Sequence, residues 1–155
     1  MTVFGVLQQL AASWRPLRIV IDATGVGEGL WSLLDNAHGP DVVIPVKFSP
    51  QVKSQLGYGI LGIIESGRYQ EYSPFDETLR LQLDKCRSEI VPGPSKLMRW
   101  GVPDGTRDST GQQVHDDDLI TTALCTILDG LEWFTHLPSV MVPGRDPLDD
   151  MDRRF

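Results

Sequence analysis

Three consecutive carboxylates, Asp116, Asp117 and Asp118, follow His115 at the head of a run with helical apolar spacing. A helix start stabilises negative charge, because its free N–H groups and its dipole attract an anion. Capping needs one aspartate. Three repel one another, and a bound divalent cation relieves that repulsion. Oxygen ligands of this kind suit Mg²⁺ or Mn²⁺. Adjacent helix positions point in different directions, so all three cannot face one ion. Asp118 is the weakest ligand candidate. The same residues also suit a cap flanked by solvated acids. His115 is placed to orient water or a ligand, and equally suits an exposed position.

Asp22 is the second candidate. It follows Leu17–Ile21, a short β-branched run that predicts a buried strand. In open α/β sheets, ligands bind beyond the carboxyl ends of strands. Asp22 equally suits a turn cap that accepts from the Gly25 or Gly27 amide. Gly25 and Gly27 do not complete a dinucleotide fingerprint, and no Walker A sequence occurs. If Asp22 met Asp116 or Asp117 at one end of a sheet, the acids would hold metal ions for phosphodiester cleavage. Such a centre takes several carboxylates, and a third is not evident. Glu65, Glu71 and Glu77 have nothing further in their favour.

The elements that must position these residues alternate. The spacing predicts a helix over 2–13, a strand at Leu17–Ile21, a helix at Glu28–Leu34 and a strand at Val42–Val46. A helix is predicted over Gln51–Ser66, with Gly67 ending it. Residues 68–72 read as extended, Phe75–Ile90 as a helix, Leu97–Val102 as a strand and 103–113 as a loop. Asp116–Trp133 carries an apolar stripe of Leu119, Ile120, Ala123, Leu124, Ile127 and Leu131, and predicts the best helix of the chain. From Pro138 the chain is acidic and reads as frayed. The domain reading is therefore 1–136 as one unit and 137–155 as a tail. The rhythm implies an α/β fold with crossover helices.

At 155 residues and 41% hydrophobic content, one packed core is feasible. A formal charge of -7 argues against a dominant non-specific nucleic-acid surface. The charge is uneven, with a net of -2 over 1–46, +2 over 47–102 and -7 over 103–155. The middle is thus the better place for phosphate contact. Cys86 and Cys125 lack metal-ligand spacing and read as reduced thiols of a cytosolic protein. No apolar run reaches the length of a membrane span.

Together, certain segments resemble the C-terminal nuclease domain of the large terminase subunit of tailed phages. They are Leu17–Leu34 with its Asp22 turn, Lys47–Ser49, Lys53–Tyr58, Ser66–Tyr69, Met98–Pro103 and His115–Asp117. The resemblance spans about residues 5–130, and the order and spacing of the motifs carry it. It implies an RNase H-like mixed sheet with flanking helices and a Mg²⁺- or Mn²⁺-dependent site that cuts double-stranded DNA during packaging. Asp22 matches the second catalytic acid of the family. Asp117 or Asp116 matches the last. Asp118 falls where the pattern has leucine. Lys47, Lys53 and Arg68 match basic positions, which are candidates for phosphate contact. The parent protein would add a packaging ATPase, a portal and a small terminase as partners, in the cytoplasm of a host cell.

The family's first catalytic aspartate lies on a leading strand, whereas the first acid here is Asp22. The resemblance therefore implies an N-terminally truncated domain, weak or inactive in cleavage unless the missing strand completes it. Such a domain would expose a sheet edge open to self-association. Two rival readings stand beside it. One is a non-catalytic module that binds DNA or a partner. The other is an unrelated α/β domain that binds an anion at the Gly25–Gly27 turn.

Overall fold

The computed structural model describes residues 2–70 and 76–133. The expected tail at 137–155 and the acid Glu71 lie outside the described residues. The first helix, α1, runs Val3–Trp14, and the Thr2 hydroxyl caps it by accepting from the Gly5 N–H at 3.2 Å. Arg15 closes it in the left-handed conformation at φ 48°, and Pro16 prevents its continuation. The apolar positions that define α1 in the sequence stay largely in water. Only Ala11 is buried.

A parallel unit follows, β1 (Ile19–Asp22), α2 (Gly27–His38) and β2 (Val43–Val46). The crossover helix is forced, because parallel neighbours cannot be joined by a tight turn. Register pairs Ile19 with Val43 and Asp22 with Val46, so both carboxyl ends finish level. Val43 and Val46 are buried, whereas β1 is only half-buried and its Asp22 is exposed. The predicted buried strand is therefore a half-buried one, with a paired neighbour on one side only among the described residues. Ile19 and Ala23 donate to the Val42 and Val46 carbonyls at 2.7 and 2.8 Å. Pro45 has no N–H to offer the outer side of β2, which suits an edge.

Helix α3 (Pro50–Glu65) begins on a cap, with the Ser49 hydroxyl accepting from the Val52 N–H and Pro50 in the first turn. Gly67 at φ 69° ends it as the sequence suggests, with the Arg68 N–H returning to the Ile63 carbonyl. Residues 68–70 form no strand. Helix α4 (Glu77–Lys85) is capped by Asp76. Here the sequence reading is corrected. The predicted helix to Ile90 stops at Lys85, and β3 (Arg87–Ile90) pairs antiparallel with β4 (Met98–Gly101). All four β3 residues are exposed, so no apolar alternation marks it as a strand. Its partner defines it.

The last helix is also shorter than predicted. Helix α5 spans Asp117–Leu124, and Cys125–Gly130 continues as a 3₁₀ turn. Thr121, Thr122 and Cys125 each turn their side chain back to a carbonyl four residues earlier. Such bonds compete with regular helix.

The class is mixed α/β, with two separate two-stranded sheets among the described residues. The core joins Val46, Leu56, Ile60, Leu79, Met98, Trp100, Leu119, Ala123 and Leu124. It lies between α3, α4, α5 and the β3–β4 hairpin. No described helix is long and apolar enough to cross a membrane.

Candidate functional site

The turn after β1 is built around Asp22. Its Oδ1 accepts from the Thr24 N–H at 2.8 Å, not from Gly25 or Gly27. Gly25 adopts φ 58°, which releases the chain into α2. At Gly27 a Cβ would strike the Asp22 carbonyl, so the start of α2 is drawn tightly against the strand end. The Thr24 hydroxyl then accepts from the Phe48 N–H at 2.9 Å. That bond ties the Asp22 turn to the exit of β2. One residue on, Ser49 starts α3, and Lys53 stands one turn further along.

Lys53 is the link to the second acidic cluster. Its Nζ lies 3.7 Å from Asp116 Oδ2. Gly101 makes the approach possible. Its φ is 136°, and a Cβ there would collide with the Asp116 carboxylate. An isolated glycine inside a strand signals such close approach, so Gly101 was open to recognition in the sequence. Asp116 is half-buried, whereas His115 and Asp117 are exposed. Of the candidate acids at this helix start, Asp116 faces the protein and Asp117 faces solvent. Lys53 and Asp116 border an open cleft of about 580 Å³ beside the β3–β4 hairpin. Arg87 and Arg99 also line it, against Glu89 and Asp104, so its charges balance.

Asp118 has a structural task. Its Oδ2 accepts from Gln82 Nε2 at 3.0 Å, while Gln82 Oε1 accepts from the Leu119 N–H at 2.8 Å. Asp116 makes no side-chain cap of its own for α5. Gln82, buried on α4, supplies the cap from outside and fixes the helix that carries all three aspartates. It sits three residues after Leu79 on the apolar face of α4. A polar residue in that place was the one sign of it in the sequence.

The predicted phosphate contacts do not gather. Lys47 pairs with Glu28 at 2.9 Å, Lys53 with Asp116, and Arg68 with Asp129 at 2.7 Å. Arg68 follows the far end of α3, roughly 20 Å along the axis from Lys53 at about 1.5 Å per residue. The Lys47–Glu28 and Arg68–Asp129 pairs are exposed and worth about 0–1 kcal/mol each, so a phosphate can compete for those cations, whereas Lys53 is held by the half-buried Asp116.

A divalent centre needs several oxygens on one point. Among the described residues, no three of His, Cys, Asp and Glu form a group able to hold a metal ion. Asp116 is neutralised by an ammonium, and Asp22 is engaged with a backbone N–H.

The loop that delivers His115 and Asp116 is ordered by another carboxylate. Asp108 Oδ1 accepts from the Thr110 hydroxyl, the Thr110 N–H and the Gln112 N–H at 2.8, 2.8 and 2.9 Å. The Thr110 hydroxyl first, and then these amides, hold its pKa below the ordinary aspartate value of 3.8. A pKa lowered by folding stabilises above the unfolded value and loses that contribution as pH falls through the folded value. The loop is thus expected to loosen only below about pH 3.8. Carboxyl-carbon NMR titration should place Asp108 below a free aspartate, and Thr110→Val should move it back upward.

Compared with protein-family models, curated proteins and solved structures, the chain matches none.

Proposed function

We propose that this chain is part of an RNase H-like, terminase-type nuclease domain that engages double-stranded DNA and cuts poorly, if at all, by itself. The observation that supports this reading is a connected edge. Asp22 ends β1, the Thr24–Phe48 bond joins its turn to the start of α3, and Lys53 of α3 reaches Asp116. Two acidic positions of the resembled family thus stand at the ends of one short chain of contacts. Among the described residues, no three of His, Cys, Asp and Glu form a group able to hold a metal ion. No cleavage step is assigned to them.

The contribution left to this edge is phosphate engagement by Lys47 and Lys53. Each must exchange its carboxylate for a phosphate, a nearly balanced trade for the exposed Lys47–Glu28 pair and a less favourable one for Lys53, whose partner Asp116 is half-buried. Binding should therefore be weak, with the shallow salt dependence of about two phosphate contacts.

The test combines plasmid nicking in Mn²⁺ with gel-shift binding at low salt. The folded chain should nick no faster than its Asp22→Asn, Asp116→Asn and Asp117→Asn variants. It should retard duplex DNA at low salt, and the doubly substituted Lys47→Ala, Lys53→Ala chain should bind several-fold more weakly. Nicking abolished by any of the three aspartate changes would mean that a working centre exists. No retardation at any salt concentration would remove DNA from the reading.

A further inference from the structure

Two depressions flank the β3–β4 hairpin, and they differ in charge. The cleft beside Lys53 and Asp116 balances its cations with acids. The second, of about 480 Å³, lies between the start of α3 and the far end of the hairpin. Phe48, Val91, Leu97 and Met98 give it an apolar lining, and its charged lining residues, among those described, are Lys53 and Arg99. Both cations already face carboxylates, Asp116 and Glu89, on the side of the cleft. An ammonium has three N–H donors and a guanidinium five, so each can hold a second carboxylate and keep the first. The pocket therefore suits a ligand with an apolar body and acids at its edge.

The same chain contains such a ligand. Asp146, Asp149, Asp150 and Asp152 fall within seven residues that include no Lys or Arg, and Pro147, Leu148 and Met151 lie among them. Methionine is a flexible side chain that fills irregular gaps. The pocket is formed by the middle of the chain, the one part with a positive balance, +2 over 47–102. Opposite charge thus favours this contact over most of the remaining surface.

Reach permits it. Trp133 is held by its Nε1–H, which donates to the Leu128 carbonyl at 3.0 Å, and by the Arg18 guanidinium, 5.9 Å from its ring. By the β1–β2 register Arg18 is level with Val42. Phe48 lies six residues beyond Val42, about 20 Å along the strand at roughly 3.3 Å per residue. The 13 residues between Trp133 and Pro147 can span up to about 45 Å. A tethered segment also acts at an effective concentration on the order of millimolar, which a free competitor must match.

We propose that residues 147–152 of this chain seat in the pocket. Leu148 and Met151 lie against Phe48, Val91, Leu97 and Met98, and Asp149 and Asp150 face Lys53 and Arg99. The seated segment excludes other anions from these two cations. This contact is independent of the DNA reading, since it needs no nucleic acid.

Carbodiimide cross-linking of the full chain at low ionic strength, mapped by mass spectrometry, tests this. The reagent takes up the water lost as a carboxylate and an amine join in an amide, so it links groups in contact. The Lys53–Asp116 pair, 3.7 Å apart, is the internal control. The expected result is a link from Lys53 to Asp149 or Asp150 in the monomer fraction. Lys85, which precedes the opposite end of β3, should give little. Leu148→Ser with Met151→Ser should reduce the Lys53 link to the segment roughly tenfold and spare the control. The control link alone would overturn the proposal. So would a link to the segment that survives the double change, one shared equally with Lys85, or one confined to a dimer fraction.

Discussion

Replacing Gly57 by alanine is expected to cost about 1–3 kcal/mol of stability, the usual range for overpacking, although alanine is the better helix former. In a helix interior this exchange ordinarily gains about 1 kcal/mol. At Gly57 the sign reverses, because a Cβ would fall on the Trp100 indole and touch the Met98 sulfur. The indole lies over the bare backbone so that its Nε1–H donates to the Lys53 carbonyl at 2.5 Å. The added methyl must displace the ring, the hydrogen bond or both. Gly62, on the same helix, provides the internal comparison. Nothing lies within 4 Å of a Cβ there, so Gly62→Ala should gain up to about 1 kcal/mol. Urea denaturation of both variants decides the matter. A Gly57→Ala protein as stable as the parent would mean that the α3–β4 contact is looser than described.

Gln82→Met should cost a comparable amount, about 1–3 kcal/mol, because it keeps volume and leaves the buried Leu119 N–H without an acceptor. The exchange isolates a hydrogen-bonding role from a packing one. A sharper form of the test reverses the polarity of the pair. Gln82→Glu keeps an acceptor for Leu119 but sets a second carboxylate against Asp118. Asp118→Asn in the same chain restores a donor opposite the new acid. The double variant should therefore be more stable than Gln82→Glu alone by about 1–2 kcal/mol, a coupling expected of groups in direct contact. Additive effects would mean that Gln82 and Asp118 do not communicate. The result bears on the candidate site, because Gln82 holds the first turn of α5 and hence the direction in which Asp116 and Asp117 project.

Apolar spacing made α2, α3 and the start of α5 legible, because each packs a helical stripe. The placement of Asp22 at a strand end was legible for a related reason. A β-branched run followed by Thr24 and Gly25 has few alternatives to a strand and a turn. Strand β3 was hidden, since Arg87, Ser88 and Glu89 owe their extended form to the partner strand rather than to a buried face. The shortness of α5 was hidden as well. Its stripe continues past Leu124, but the hydroxyls of Thr121 and Thr122 compete for carbonyls, which apolar periodicity does not register. In the candidate site, the acids were visible as residue types. The pairing of Lys53 with Asp116 was not, because it spans 63 residues and depends on a missing side chain at Gly101.

Pro45 bears on how copies of this chain can grow into larger objects. A strand pair whose two outer edges both offer N–H donors can bind a neighbour on each side, and the neighbours can do the same without end. Among the described residues, the β1 edge of this pair keeps its alternate donors, at Val20 and Asp22, because Ile19 and Ala23 spend theirs on β2. The β2 edge is interrupted by the proline. Head-to-tail addition of β1 onto β2, which propagates into a filament, is thereby hindered. Among the described residues, the pairing this leaves is β1 against β1, a contact that closes on itself after two copies.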